Sequence, residues 1–190
     1  LVGSEMCIRD RGKVRQIGLS NETPWGTMKY LELAETKSLP RVASIQNAYN
    51  LVNRGFEIGL SEVAMHEQVG LLAYSPLAQG TLTGKYLGGQ MPQGSRLALF
   101  GDGPLMMRYK GDKTQQAIEM YVNLAKKYEI DPAQLAIQFC NIQPFVTSTI
   151  IGATTMEQLK TCIDSVDLDI TKEIMNEIRG IHKEIPNPAP

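Results

Sequence analysis

The chain has 190 residues, 43% of them hydrophobic and 21% charged, and a formal net charge of −1. That length suits one domain with a real core, and the near-neutral charge leaves no electrostatic footprint for nucleic acid or an anionic membrane. No apolar run approaches the roughly 18 residues of a membrane span, and the three cysteines, Cys7, Cys140 and Cys162, lie far apart without CxxC spacing, which points to a reduced, cytoplasmic protein.

Residues 1–11, LVGSEMCIRDR, follow neither a helix nor a strand period and lack the apolar core of a signal peptide. They resemble translated sequencing-adapter read-through; a short disordered tail is the alternative. Either way the leader is expected to stand outside a domain covering residues 12–190. From Gly12 the pattern becomes regular. Val14, Ile17 and Leu19 mark a strand over 14–20, ending at Ser20 and Asn21. Thr23-Pro24 reads as N-cap and first helical residue of a helix over 24–36. A second strand spans 42–46, and after Arg54-Gly55 a helix near 58–69 is expected to close on Gly70 as its C′ residue.

The third strand, 71–75, is the apolar run Leu71-Leu72-Ala73-Tyr74 stopped at Ser75-Pro76. The loop behind it holds Gly80 and Gly84, which let backbone approach a ligand closely. Thr81, Thr83 and Lys85 add two hydroxyls and a cation suited to phosphate. Residues 87–111 are long, irregular and rich in glycine, yet carry Leu97, Leu99, Phe100, Leu105 and Met106; a lid over a pocket and partial disorder both fit. An amphipathic helix over 113–128 follows, then one from Asp131-Pro132 through Phe139. The fourth strand, 147–151, is largely β-branched. Thr155-Met156-Glu157-Gln158 has capping-box form and opens a helix to about Asp164; Ile174, Ile178 and Ile181 stripe the last helix, from Thr171. Strand and helix alternate four times, with an extra helix before the last strand. This is an α/β pattern with a parallel sheet, and by count half of a (β/α)8 TIM barrel. His66 and His182 lie in unrelated contexts, so no metal cluster is expected.

In each unit the polar residues fall at the C-terminal strand end, where such barrels build their sites. Ser20 and Asn21 offer a hydroxyl and an amide and Gln46 a second amide; together they suit a carboxamide, although a cap-and-turn pair and a satisfied buried amide are the plainer alternatives. Tyr74 can offer a flat face to a planar ring. Gly152, Ala153 and Thr154 lead into a helix N-terminus, where free N–H groups favour an anion.

Four motifs, VRQIGLSN at 14–21, SIQNAYNLVNR at 44–54, AYSPLAQGTLTGKY at 73–86 and IIGATTMEQL at 150–159, resemble in order and spacing the last four strand motifs of the aldo-keto reductases, in the Tas-like or potassium-channel β-subunit-like branch. The resemblance covers residues 12–190 and implies the C-terminal half of that barrel. It implies that Ser20, Asn21 and Gln46 hold the nicotinamide carboxamide and that Tyr74 stacks on its ring. Ser75, Leu77, Gly80 and Lys85 match the pyrophosphate loop; Gly152, Ala153 and Thr154 the 2′-phosphate turn; Gln158 the adenosine end. The implied cofactor is NADP(H). NAD(H) stays open, because Gly152 and Gln158 supply no Lys or Arg to the phosphate and Cys162 stands where close relatives carry an Asn.

The family's Asp, Tyr, Lys and His catalytic set belongs to the first four strands. No catalytic role passes to Tyr49, Tyr86, Lys85 or His66. The resemblance therefore implies that a longer parent reduces small aldehydes or ketones, and that these 190 residues alone are inactive. A non-catalytic nucleotide-binding regulatory module and a non-functional fragment are the rival readings. Strands 14–20 and 147–151 would be open edges, which invites self-association.

Overall fold

A computed structural model describes residues 12–101 and 103–190; the leader read in residues 1–11 lies outside these. Four parallel strands form one sheet in the order β1 (Gly18–Ser20), β2 (Ser44–Ala48), β3 (Gly70–Tyr74), β4 (Val146–Thr149). The helices are α1 (Pro24–Thr36), α2 (Leu60–Glu67), α3 (Arg96–Phe100), α4 (Pro104–Met107), α5 (Asp112–Lys127), α6 (Pro132–Asn141), α7 (Met156–Asp164) and α8 (Lys172–Glu184). This is an α/β fold with the strand–helix alternation of part of a (β/α)8 barrel.

One face of the sheet is covered. Ile45, Leu71 and Ala73 point into a core with Tyr49, Leu135, Phe139, Ile118 and Ile178 from the region after β2 and from α5, α6 and α8. On the opposite face Ser44, Gln46, Gly70, Leu72 and Tyr74 stay half-exposed. The register explains the small residues there: Gly18 pairs with Ser44, and Ser44 with Gly70. A Cβ at Gly70 would stand 1.8 Å from Thr147 Oγ1, so the position demands glycine for interstrand closeness.

Gly70 was expected to close the preceding helix, and the structure corrects this. The left-handed residue is Gln68 (φ 56°), whose N–H returns to Ala64 O, and Gly70 opens β3. The strands also sit differently from their sequence bounds, because pairing sets them. β1 keeps only residues opposite Ser44–Gln46, with one further bond from Ala43 N–H to Ile17 O; β2 runs on to Ala48, opposite Tyr74. The helix starts read from Thr23, Asp131, Thr155 and Thr171 stand, each side-chain oxygen accepting a first-turn N–H.

Residues 87–111 contain a 3-10 turn and the two short helices α3 and α4, with Met106 and Tyr109 buried. Leu99 and Phe100 face solvent at 66% and 72% exposure, while the half-buried Leu97 donates its N–H to the Tyr86 hydroxyl at 3.3 Å. β1 and β4 are the two edges of the sheet, as the strand count implied. No helix among the described residues is long and apolar enough to cross a membrane.

Candidate functional site

The C-terminal ends of β1, β2 and β3 bring four of the expected residues together. Ser20 is the register partner of Gln46, and the next residue, Asn21, donates its N–H to Gln46 O at 2.9 Å. Asn21 has φ 53°, a left-handed turn that asparagine tolerates well. That turn swings its amide toward β3, where the Tyr74 hydroxyl donates to Asn21 Oδ1 at 2.9 Å. Asn21 Nδ2 lies 3.4 Å from Ser20 Oγ. Ser20 and Asn21 are exposed, Gln46 and Tyr74 half-buried: the cluster is an open polar rim on the uncovered face of the sheet, with amide and hydroxyl groups left for a ligand.

The loop after Tyr74 continues from that rim. Ser75 is left-handed (φ 55°), as are the successive Ala78, Gln79 and Gly80 (φ 48°, 61° and 91°). Three non-glycine residues in this region cost about 1–2 kcal/mol each, so the surroundings must hold them. They do so through the carbonyls. Ala78 N–H donates to Ser75 O, and Gly80 and Leu82 N–H both donate to Leu77 O. A Cβ at Gly80 would meet Lys85 Nζ at 3.0 Å, so glycine leaves the ammonium room to lie over the loop. The two threonines, read from the sequence as suited to phosphate, here turn their hydroxyl protons onto the loop itself. Thr81 donates its hydroxyl to Ala78 O and Thr83 to Gly80 O, each at 2.8 Å, because the tight loop needs its carbonyls satisfied. Lys85 remains as the cation.

The third group follows β4. Gly152, Ala153 and Thr154 are exposed, and a Cβ at Gly152 would touch nothing within 4 Å. Thr155 caps α7, and Gln158 Oε1 accepts from both Thr154 N–H (3.0 Å) and its hydroxyl (3.1 Å). The turn is therefore pre-shaped, and the Gln158 amide keeps its N–H donors. Glu157 in the first turn places a carboxylate beside the dipole end that would attract a phosphate, which weakens that attraction. Two shallow depressions lie elsewhere, about 400 Å³ against α7 (Met156, Leu159, Ile163) and about 500 Å³ against α1 (Met28, Leu31, Leu39).

Three residues that sequence reading passed over support the rim. Gln79 donates Nε2–H to Ser75 Oγ at 3.0 Å while its buried Oε1 has no partner, leaving an acceptor beside the loop. Asn47 and Asn50 donate to main-chain carbonyls on either side, Glu22 O and Ser75 O. Their only sequence signal is three asparagines at Asn47, Asn50 and Asn53, inside a stretch whose neighbours are buried. Beneath them Tyr49, fully buried, donates to Glu57 Oε1 at 2.6 Å. Arg54 Nε and Nη2 donate to the same carboxylate at 2.7 and 2.8 Å. Burial and the Glu57 carboxylate push the Tyr49 phenol far up. Cys140, likewise buried, is pushed up by desolvation and is inert.

The aldo/keto reductase family model matches residues 7–183. The chain is 51% identical to protein tas of Escherichia coli over 179 residues, 94% of this chain and 51% of that protein. It is 40% identical to an aldo-keto reductase of Babesia bovis over 179 residues, 90% of this chain and 62% of that protein. It is 35% identical to a probable voltage-gated potassium channel subunit beta of Oryza sativa over 120 residues, 62% of this chain and 37% of that protein. The chain thus spans about half the length of the first of these relatives. A parallel sheet with its polar groups gathered at the carboxyl ends of the strands, and a family match across nearly all its residues, make this chain a member of the aldo/keto reductase family.

Proposed function

We propose that the protein to which these residues belong reduces the carbonyl of small aldehydes or ketones with NADP(H), and that residues 12–190 form the cofactor-binding part. The observation that carries this is the convergence of Ser20, Asn21, Gln46 and Tyr74 on one rim, in a family member. When bound, the nicotinamide supplies the hydride. Ser20, Asn21 and Gln46 offer the donors and acceptors a carboxamide requires, and Tyr74, tied to Asn21, presents its ring beside them. Ser75, Leu77, Gly80 and Lys85 receive the pyrophosphate: Gly80 admits it closely and Lys85 supplies charge. The unpartnered Gln79 Oε1 suits a ligand hydroxyl or amide donor there. Gly152, Ala153, Thr154 and Gln158 take the adenosine end with its 2′-phosphate, and Glu157 narrows the preference over NAD(H).

The proton for the carbonyl oxygen comes from a Tyr, Lys, Asp and His set outside residues 12–190, so these residues alone bind without turning over. The protein works in the cytoplasm, and the open edges β1 and β4 drive self-association of the 190-residue chain. A second reading, a non-catalytic nucleotide-binding module, is favoured by the similarity to a channel subunit beta.

Titration with NADPH and NADH, followed by nicotinamide fluorescence, tests the reading. Trp25 on α1 is 76% exposed and a poor reporter. Saturable binding with no carbonyl-dependent oxidation is expected of the chain. Absence of binding refutes the cofactor assignment, and turnover refutes the placement of the proton source. Size-exclusion chromatography giving a clean monomer refutes the self-association.

A further inference from the structure

The loop after β2 is built around one side chain that the cofactor assignment does not use. Asn50 is fully buried. Its Oδ1 accepts from Val52 N–H at 3.0 Å and Asn53 N–H at 2.9 Å, while its main chain exchanges two further bonds with Asn53. These contacts leave the amide one direction in which to point. It donates Nδ2–H across to Ser75 O at 2.9 Å. The C-terminal segment braces the loop from the other side. Asn187 Oδ1 accepts from Arg54 N–H at 2.8 Å, and Ala189 N–H donates to Val52 O at 3.0 Å.

Ser75 is where that donor matters. It is left-handed, and it starts the turn from which Leu77 and Gly80 are displayed. Its carbonyl accepts from both Ala78 N–H and Asn50, so Asn50 is the link between the rigid floor and a strained loop. Resting on the reading that this loop receives the pyrophosphate, we propose that Asn50 is its positioning residue: the amide grips the Ser75 carbonyl and thereby sets where Leu77, Gly80 and Lys85 meet the nucleotide.

Asn50→Asp in the full 190-residue chain isolates the donor. The shape and both acceptor contacts persist, but an ionised carboxylate has no hydrogen for Ser75 O. Once protonated it has one again, and burial raises the pH at which that happens. The first readout needs no ligand: hydrogen-exchange protection of the Gly80 and Leu82 amides, both bonded to Leu77 O, against that of Leu71 in β3. At about pH 8 the loop amides lose roughly tenfold protection while Leu71 keeps its own, and NADP+ affinity falls about tenfold. Both recover as the pH is lowered to about 5.5. Asn50→Ala gives the same loss without the recovery. Loop protection unchanged in both variants overturns the proposal. So does a variant pair in which Leu71 and the loop lose protection together, since that marks a general packing role. Failure of the unaltered chain to bind NADP+ defeats the cofactor reading instead, and the exchange readout still decides whether Asn50 holds the loop.

Discussion

Replacing Glu57 with alanine removes three hydrogen bonds from beneath the rim in one step: those from Tyr49 at 2.6 Å and from Arg54 at 2.7 and 2.8 Å. Two groups are then stranded. The Tyr49 hydroxyl sits on a residue with no exposure, and the Arg54 side chain is only 13% exposed, its guanidinium lying 5.3 Å from the centre of the Phe139 ring. Breaking a fully buried ion pair from one side costs about 3–5 kcal/mol. Glu57 itself is 27% exposed, so water reaches the vacated space and relieves part of this. We expect about 2–4 kcal/mol. With a urea slope of about 2 kcal/mol/M, the midpoint falls by roughly 1–2 M at unchanged slope. Glu57→Gln keeps one acceptor and loses about 1–2 kcal/mol.

The pH dependence separates this network from mere packing. Burial raises the Glu57 carboxyl, but hydrogen bonds from Arg54 and Tyr49 outweigh it and hold the group below its ordinary range. Its contribution is thus complete above the unfolded value of about 4.3 and fades as pH falls toward the folded value. Glu57→Gln abolishes that acid-side loss. An alanine variant within about 0.5 kcal/mol of the unaltered chain, or a glutamine variant with the same acid limb, refutes the network as a source of stability.

Gly80→Ala places a side chain at φ 91° and within 3.0 Å of Lys85 Nζ, so we expect a loss of about 1–2 kcal/mol in urea unfolding together with weaker nucleotide binding. Tyr74→Phe removes a single bond to an exposed partner and costs under about 1 kcal/mol of stability, while affinity for the nicotinamide end falls and affinity for an adenosine fragment does not. His182 is held below its ordinary pKa by burial and by the Arg54 charge, so the unfolded chain binds its proton first on acidification. Stability therefore drops as pH falls through about 6.5, and His182→Gln flattens that step in thermal melts taken from about pH 7.5 to 5.5.

What the sequence disclosed follows how locally each feature is encoded. Helix starts at Thr23, Asp131, Thr155 and Thr171 were legible because the cap and its first turn lie within four residues of each other. Strand limits were not, since Ala48 belongs to β2 only because Tyr74 lies opposite it. Gly70 shows the same limit: beside Val69 it reads as a helix stop, and only the approach of Thr147, far along the chain, reveals a strand residue. The rim residues were legible as polar groups at strand ends. The use of Thr81 and Thr83 was not, because a threonine that satisfies its own loop and one that binds phosphate look alike until the carbonyls are placed.

The two faces of the sheet tie these strands to their chemistry. Parallel sheets are ordinarily covered on both sides and read as continuous apolar runs. Here the helix side is apolar at Ile45, Leu71 and Ala73, while the other side carries a row of small residues, Gly18, Ser44 and Gly70, followed one step along by Ser20, Gln46 and Leu72. Rows of that kind across neighbouring strands are how a closed barrel fills its interior in layers. Small residues at the start of β1, β2 and β3 let the backbones crowd together, and the larger polar side chains, Asn21, Gln46 and Tyr74, come toward the carboxyl end. The gradient from Gly18 to Asn21 along β1, and from Gly70 to Tyr74 along β3, is thus a single design: the end that packs tightly fixes the strands, and the end that opens carries polar groups whose positions that packing has already set.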